Sequence, residues 1–211
     1  PSSFVMGRGD KPPHGPQREV RLTRGFFIDR YETTVAEYRE CITKKACTPS
    51  SVHGPRPTPE EVATFTHFCT AEQAGHDQHP INCVDRSQAQ AYCRFRQRRL
   101  PTEAEWELAA RGTDGRTFPW GNATPTSCDM AVISGLCPAT GPRSVGRRAP
   151  SSASPFGVFD MSGNLWEWVQ DTYDPQLALV APAQDPVVRG VSGRGVLRGG
   201  SWDFAASHAN T

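Results

Sequence analysis

Two carboxylates, Asp160 and Glu167, bracket a short run of small and polar residues towards the C-terminal end of the sequence. Carboxylate oxygens with backbone carbonyls between them are hard ligands, and such donors suit calcium better than a soft metal. The same run could instead be a plain turn held by its own hydrogen bonds, because Ser, Gly and Asn favour turns. We expect calcium here, with the plain turn as the alternative.

Three glutamates, Glu103, Glu105 and Glu107, form the other cluster of carboxylates in the sequence. Paired carboxylates can act as a general acid and base when their pKa values separate. A structural role is favoured, however, because Glu near a helix N-terminus interacts well with the helix dipole and Glu105 follows Thr102 in a capping box. Ser201 has no triad-like pattern of His and Asp around it and is also expected to be structural.

The seven cysteines fall into three local pairs and one isolated residue. No C-x-x-C is present and no Cys and His cluster has the spacing of a zinc site, so disulfides are favoured over a metal. On adjacency alone, the expected pairs are Cys41 with Cys47, Cys69 with Cys83, and Cys128 with Cys137. Cys93 lies in a helical pattern and is expected to stay reduced. Three disulfides indicate an oxidising compartment.

The six histidines give no sign of a metal centre. None is part of an H-x-x-x-H pair, and the closest two, His76 and His79, lie in a run rich in Gly, Asp and Pro rather than on a helix. A structural or solvent-exposed role is therefore expected for them.

Short helices and strands separated by long irregular stretches are expected to position these residues. Three helices are indicated by capping boxes: Thr34 with Glu37, Asp85 with Gln88, and Thr102 with Glu105, the last helix ending at Gly112. Strands are expected over residues 4–6, 20–29, 157–160 and 195–202, with turn-rich segments over 48–59 and 174–195. The pattern predicts one α+β domain.

Bulk composition excludes several classes of partner. The 211 residues include 23 basic and 22 acidic side chains, and the arginines are spread along the chain, so we expect no nucleic-acid partner. No run of apolar residues is long enough for a transmembrane segment. Because Pro1 is not a native start, we expect any targeting segment to lie outside this sequence.

Seven strings, in order, resemble the formylglycine-generating enzyme (sulfatase-modifying factor) family. They are FFIDRYETTVAEYREC from Phe26, HPINCV from His79, AYCRF from Ala91, RLPTEAEWELAARG from Arg99, FPWGN from Phe118, FGVFDMSGNLWEWVQD from Phe156 and VLRGGSW from Val196. The resemblance implies a C-type-lectin-related fold with much irregular structure and structural calcium. It covers residues 1–211 as a single domain, which is expected to lack the family's C-terminal segment.

Family resemblance also implies which residues bind calcium. The first site would use Asp160 and Glu167 together with the carbonyls of Gly163 and Leu165. Asp129 and the Met130 carbonyl match part of a second, weaker site, because residues 134–141 offer no carboxylate to complete it.

Two family positions argue against formylglycine chemistry in this chain. The family's sulfatase-activating members carry a copper-binding cysteine pair after the RGGS string, and this sequence has Phe204 and Ala209 there. Thiolates select monovalent copper, and neither a phenyl ring nor a methyl group can replace them. No copper cofactor is expected, whereas structural calcium is.

Two functional hypotheses remain open. One is a calcium-stabilised, secreted or periplasmic binding module or pseudoenzyme that presents Trp202, Asp203 and Phe204 to a peptide, glycan or protein ligand, because the family holds its substrate peptide in this region. The other is a family oxidoreductase that acts on a peptide or small molecule at a site the sequence does not reveal, which leaves open whether the chain is an enzyme.

Overall fold

The computed structural model describes residues 1–9, 17–51, 58–138, 140–148 and 150–209. Its main elements are β1 (Ser2–Met6), β2 (Arg18–Leu22), α1 (Val35–Thr43), α2 (Pro59–Phe65), α3 (Arg86–Phe95), α4 (Glu103–Arg111), β3 (Glu167–Thr172), α5 (Pro175–Val180) and β4 (Gly195–Arg198). Short 3-10 turns cover Thr66–Phe68, Thr70–Glu72, Pro150–Ser152 and Ala206–His208. These short elements and the irregular chain between them confirm the predicted α+β class.

Helix α4 lies at the centre of the packing. It begins as the capping box predicts, because the Thr102 side chain accepts from the Glu105 amide at 3.1 Å and the Glu105 carboxylate accepts from the Thr102 amide at 2.8 Å. It ends at Gly112, whose φ of 68° is a conformation that glycine adopts readily. Trp106 in its middle is fully buried.

Two antiparallel hairpins pack against α4. In the first, β1 pairs with β2 so that Phe4 faces Val20, and both contact Leu108 in one apolar cluster. In the second, β3 pairs with β4 and buries Val169 in a cluster with Trp106. Because β3 packs on α4 in this way, the loop that precedes β3 lies close to the helix.

Helices α1 and α3 form a separate apolar cluster with the first disulfide. The rings of Tyr38 and Tyr92 lie 5.8 Å apart, and Cys41 and Cys47 complete the buried group. Both helices begin at the predicted capping boxes, at Thr34 and Asp85 respectively.

The strand predictions are right only in part. The strand expected over 20–29 ends at Leu22, and residues 157–160 form no strand. The Phe159 amide instead donates a single backbone hydrogen bond to the Arg30 carbonyl, at 2.9 Å. Strand β3 and helices α2 and α5 were not predicted. In the described part of the chain, no helix has the length and apolar character needed to cross a membrane.

Candidate cation site and aromatic surface

The loop that carries Asp160 and Glu167 is held in place by Asn164, which is completely buried. Its backbone N–H donates to the Val132 carbonyl at 2.8 Å, and its backbone carbonyl accepts from the Trp202 amide at 3.0 Å. Its side-chain oxygen accepts from the Arg143 amide at 2.8 Å, while its side-chain nitrogen donates to a carboxylate oxygen of Glu32. Through its backbone and its side chain, this one residue thus fixes the loop to four other residues of the chain.

Asp160 is buried with one oxygen left without a partner. Its Oδ1 accepts from Arg148 Nε at 2.9 Å, and both side chains are only 2% exposed. Its Oδ2 is buried and has no hydrogen-bond donor. Burial raises the pKa of Asp160, although the Arg148 guanidinium opposes the shift. A buried oxygen that lacks a donor is suited to a cation.

Glu167, at the start of β3, is held by the central tryptophan. Its Oε2 accepts from Trp106 Nε1 at 2.7 Å. The pKa of Glu167 is raised to about 7, mainly because the carboxylate is removed from water; the Trp106 hydrogen bond opposes the rise and the charge of Asp160 adds to it. An ionised carboxylate at this position is therefore costly unless a positive charge lies nearby.

Glu32 is a third carboxylate of this cluster, and the sequence did not reveal it. Its Oε1 accepts from the Leu165 amide at 3.0 Å and its Oε2 accepts from Asn164. Burial raises the pKa of Glu32 well above its usual value, and the charges of Asp160 and Glu167 raise it further. Glu32 lies more than a hundred residues before the loop, so no local spacing connects the two.

These residues fit a hard divalent cation. The unpartnered Asp160 Oδ2 and the repulsion among the poorly hydrated carboxylates both favour one. Across the described residues, no three His, Cys, Asp or Glu side chains converge closely enough to hold a metal by themselves. A calcium ion would therefore also need main-chain oxygens, and Gly163 and Leu165 are the candidates.

The second, partial site is less enclosed. Asp129 is exposed in the turn after Cys128, and Met130 is half-buried. The Met130 sulfur lies 3.8 Å from the Thr126 hydroxyl. Both predicted members are adjacent in this turn, which leaves the rest of a coordination sphere to water or main chain.

Two of the candidate binding residues, Trp202 and Phe204, lie beside other aromatic side chains. The ring of Trp202 lies 5.7 Å from that of Phe68, and the ring of Phe204 lies 5.5 Å from Trp166 and 5.3 Å from His208. Phe204 is 39% exposed. We call these five residues the aromatic surface.

Asp203 lies between the two aromatic residues and accepts a hydrogen bond from the Ser201 hydroxyl. Ser201 is buried and Asp203 is exposed. Their contact fixes the turn that separates Trp202 from Phe204. The structural role expected for Ser201 agrees with this position.

A groove of about 820 Å³ adjoins the cation loop. Glu32, Leu165, Trp166 and Glu167 are among its lining residues, and the half-buried thiol of Cys93 also lines it. Trp166 belongs to both the groove and the aromatic surface. The loop therefore connects the carboxylate cluster to the surface at Phe204.

The glutamates of α4 have structural partners. Glu105 receives two hydrogen bonds from Arg99, at 2.6 and 2.7 Å. Glu107 is buried between Arg111 at 2.6 Å and Arg198 at 3.0 Å. These ion pairs give Glu105 and Glu107 structural partners.

The cysteines pair as expected. Disulfides link Cys41 with Cys47, Cys69 with Cys83, and Cys128 with Cys137. Cys93 is free.

His76 and His79 stack at 3.9 Å between ring centroids, and His79 Nδ1 lies 3.3 Å from the Ser144 hydroxyl, which is a structural arrangement.

The family model for the sulfatase-modifying factor enzyme 1-like domain matches residues 1–211. The chain belongs to this family. It is 35% identical over 146 residues to a formylglycine-generating enzyme of Streptomyces coelicolor, an alignment that covers 64% of this chain and 46% of that protein. It is 31% identical to the mouse inactive C-alpha-formylglycine-generating enzyme 2, over 98% of this chain and 74% of that protein. The chain thus spans about half the length of the first relative.

Solved structures agree with the sulfatase-modifying factor fold. PvdO from Pseudomonas aeruginosa superposes with a TM-score of 0.77 at 23% identity and covers 100% of this chain and 84% of its own. Treponema denticola variable protein 1 gives a TM-score of 0.66 at 19% identity, covering 99% of this chain and 84% of its own. At these identities the likeness shows the fold alone.

Phe204 and Ala209, which the resemblance matches to the family's copper-binding cysteines, have different surroundings in this chain. Phe204 is partly exposed on the aromatic surface, whereas Ala209 is fully buried against Ala131 and Ile133. The Ala209 carbonyl also accepts a hydrogen bond from the Ser162 hydroxyl. Neither side chain can bind a metal ion.

Proposed function

We propose that this chain is a non-catalytic binding domain of the sulfatase-modifying factor family. It uses the family scaffold, stabilised by calcium and disulfides, to hold a polypeptide ligand on the aromatic surface. It does not convert cysteine to formylglycine. The other candidate, an oxidoreductase of the same family with a different site, is kept as an outcome of the experiment below.

Phe204 and Ala209 are the observation that carries this proposal. Copper-dependent chemistry in the family needs two thiolates, and this chain has an aromatic ring and a methyl group at the corresponding positions. The free thiol, Cys93, lies in α3 and lines the groove beside Trp166, but a single thiol does not replace the pair. A mouse relative with 31% identity is named as an inactive member, which supports a non-catalytic role.

The aromatic surface supports ligand binding. Trp and Phe rings provide large contact areas at low cost in conformational entropy, and binding energy often concentrates on such residues. The backbone amides of Trp202 and Phe204 donate to the carbonyls of two buried residues, Asn164 and Ser201, so the backbone that carries the rings is fixed before a ligand arrives. A glycan or a folded protein partner are the alternative ligands for the same surface.

Calcium and compartment complete the proposal. The cation would lie at Asp160 and Glu167, where the unpartnered carboxylate oxygen favours it. We place the domain outside the cytoplasm, in a periplasmic or secreted setting, because three disulfides persist in oxidising compartments.

The activity test uses protein purified without chelator, with its metal content measured first. The protein is incubated with a sulfatase-type cysteine peptide, with and without copper, and aldehyde is sought by mass spectrometry. The Streptomyces coelicolor enzyme serves as the positive control. We expect no aldehyde. Aldehyde above trace level would overturn the proposal, and a bound redox metal would favour the oxidoreductase.

The binding test compares wild type with Trp202→Ala and Phe204→Ala, and uses Phe156→Ala as a matched control. Phe156 is 59% exposed but lies outside the aromatic surface. The ligand is a fluorescently labelled form of the sulfatase-type cysteine peptide, and its binding is followed by fluorescence anisotropy. We expect each surface variant to weaken binding by more than about tenfold, as for hot-spot residues, and the control to leave it unchanged. Equal affinity in all four proteins would contradict the assignment of this surface.

A further inference from the structure

The calcium motif read from the sequence supplies two carboxylates, but the structure brings a third one to the same loop. We propose that Glu32 belongs to the cation site as a positioning residue: it holds the loop that carries the Gly163 and Leu165 carbonyls and adds the negative charge that matches a divalent ion. This inference rests on the calcium part of the proposed function.

Glu32 contacts the loop directly. Its two oxygens accept from the Leu165 amide and from the Asn164 side chain. The Leu165 N–H that donates to Glu32 fixes the peptide plane between Asn164 and Leu165. The backbone N–H of Asn164, which donates to the Val132 carbonyl, fixes the preceding peptide plane. Glu32 therefore sets the orientation of the segment in which the candidate carbonyl ligands lie.

The local balance of charge also favours a divalent cation. Among the described residues, the ion pair made by these three carboxylates is that of Asp160 with Arg148, at 2.9 Å between Oδ1 and Nε. When all three carboxylates are ionised, their three negative charges against the one positive charge of Arg148 leave two negative charges to balance. A divalent cation supplies that charge, whereas without Glu32 a single negative charge would remain.

Asp160 gives an independent sign that a ligand binds here. Asp160 Oδ2 has no donor, and the Asp160 side chain is 2% exposed, so water does not satisfy it freely. Buried carboxylate oxygens are normally hydrogen-bonded or bound to metal. Arg148 occupies the other oxygen, which leaves Oδ2 for the cation.

Glu32 is better suited to position the loop than to be an inner ligand. Both of its oxygens already accept hydrogen bonds from the loop, and its carboxylate does not converge with the other two into a three-carboxylate cage among the described residues. Groups that hold metal ligands in place affect affinity strongly, by about 10- to 100-fold when they are removed.

The test measures calcium affinity in metal-stripped protein by titration calorimetry. Terbium luminescence, excited through Trp106 next to Glu167, provides a second readout of the same site. Wild type is compared with Glu32→Gln, which removes the charge, and Glu32→Asp, which keeps the charge but shortens the reach. We expect Glu32→Gln to weaken calcium binding about 10- to 100-fold and Glu32→Asp to weaken it less.

The matched control is Glu37→Gln. Glu37 also accepts two hydrogen bonds, from the Thr34 amide at 2.8 Å and the Thr34 hydroxyl at 2.9 Å, but it caps α1 away from the loop. It should lower the melting temperature with and without calcium alike and leave the affinity unchanged. Glu32 variants should instead reduce the calcium-induced rise in melting temperature.

The outcomes separate the two levels of the proposal. If wild type binds calcium and Glu32→Gln binds it equally well, the role of Glu32 is wrong while the calcium site stands. If wild type binds neither calcium nor terbium, both are wrong. If Glu32→Gln fails to fold, as seen by circular dichroism, Glu32→Asp decides: unchanged affinity in that variant would overturn the role assigned to the reach of Glu32.

Discussion

At Gly163, in the loop between the two candidate calcium carboxylates, the structure leaves no room for a side chain. A Cβ atom there would lie 2.5 Å from the Val132 carbonyl oxygen and 2.8 Å from Ile133 Cγ2, and the φ of 92° disfavours any other residue. Close packing against Val132 thus fixes the position of the loop as firmly as its hydrogen bonds do.

Replacing Gly163 with Ala should destabilise the protein by more than the strain of a positive φ alone. Gly157→Ala is the matched control, because Gly157 has a φ of 77° but open space around its Cα. We expect about 1–2 kcal/mol for the control, from backbone strain, and clearly more for Gly163→Ala, measured by urea unfolding. Equal losses would show that the loop moves away from Val132 at little cost.

Calcium removal tests the same loop chemically. A ligand that binds only the native state stabilises it by about 2.7 kcal/mol at a concentration of 100 times its Kd. We therefore expect chelation to lower the melting temperature of wild type, and we expect Asp160→Asn to be insensitive to calcium. A melting temperature that chelator leaves unchanged would contradict the calcium assignment.

Sequence reasoning found part of the candidate site and missed part of it. Asp160 and Glu167 stand seven residues apart, so local spacing indicated them. Glu32 reaches the same loop only because the chain folds back on itself, and single-sequence reasoning contains no signal for such a contact. Asn164 was visible as a turn residue, but its burial and its four contacts follow from tertiary packing.

At the scale of elements, the three capping boxes predicted α1, α3 and α4 because a cap is a local interaction between residues three apart. Strand β3 was missed because its polar residues are buried by partners from elsewhere: the Asp171 carboxylate accepts from the Glu103 and Val188 amides, at 2.7 and 2.8 Å. The strand expected over 20–29 stops at Leu22 because a strand needs a paired neighbour, and sequence does not supply one.

The cap of α4 makes a prediction about pH. Burial alone would raise the pKa of Glu105, but hydrogen bonds from Arg99 and from the Thr102 amide outweigh it and lower the pKa. A carboxyl group whose pKa is lower in the folded state contributes stability above its unfolded pKa of about 4.3. That contribution is lost as the pH falls through the folded pKa.

Glu105→Gln should therefore flatten the acid limb of the stability curve. We expect wild type to lose more free energy of unfolding than this variant between pH 6 and about pH 3, measured by urea unfolding. Glu19→Gln, which replaces an exposed carboxylate on β2, is the control and should follow wild type. Parallel curves for Glu105→Gln and wild type would refute the assignment.

At the scale of the whole molecule, apolar packing and disulfides stabilise the domain together. The clusters around α4 use Trp106, Val169 and Leu108, whereas each disulfide closes an irregular segment of the chain. The Cys41–Cys47 bridge also packs beside Tyr38 and Tyr92. Large parts of this domain thus depend on covalent links as well as on a hydrophobic core.

The final prediction concerns the relative weight of these links. The Cys69–Cys83 bridge spans 14 residues and the Cys41–Cys47 bridge spans 6, so the chain-entropy model assigns about 3 and about 2 kcal/mol to them. Replacing each pair with Ser should lower the free energy of unfolding in that order, unless the lost packing around Cys41 adds to its cost. Non-reducing peptide mapping checks the pairing directly, and only Cys93 should be alkylated before reduction. Alkylation of all seven cysteines without reductant would refute both the pairing and the oxidising compartment, whereas Cys93 in a bridge would refute only its assignment as the free thiol.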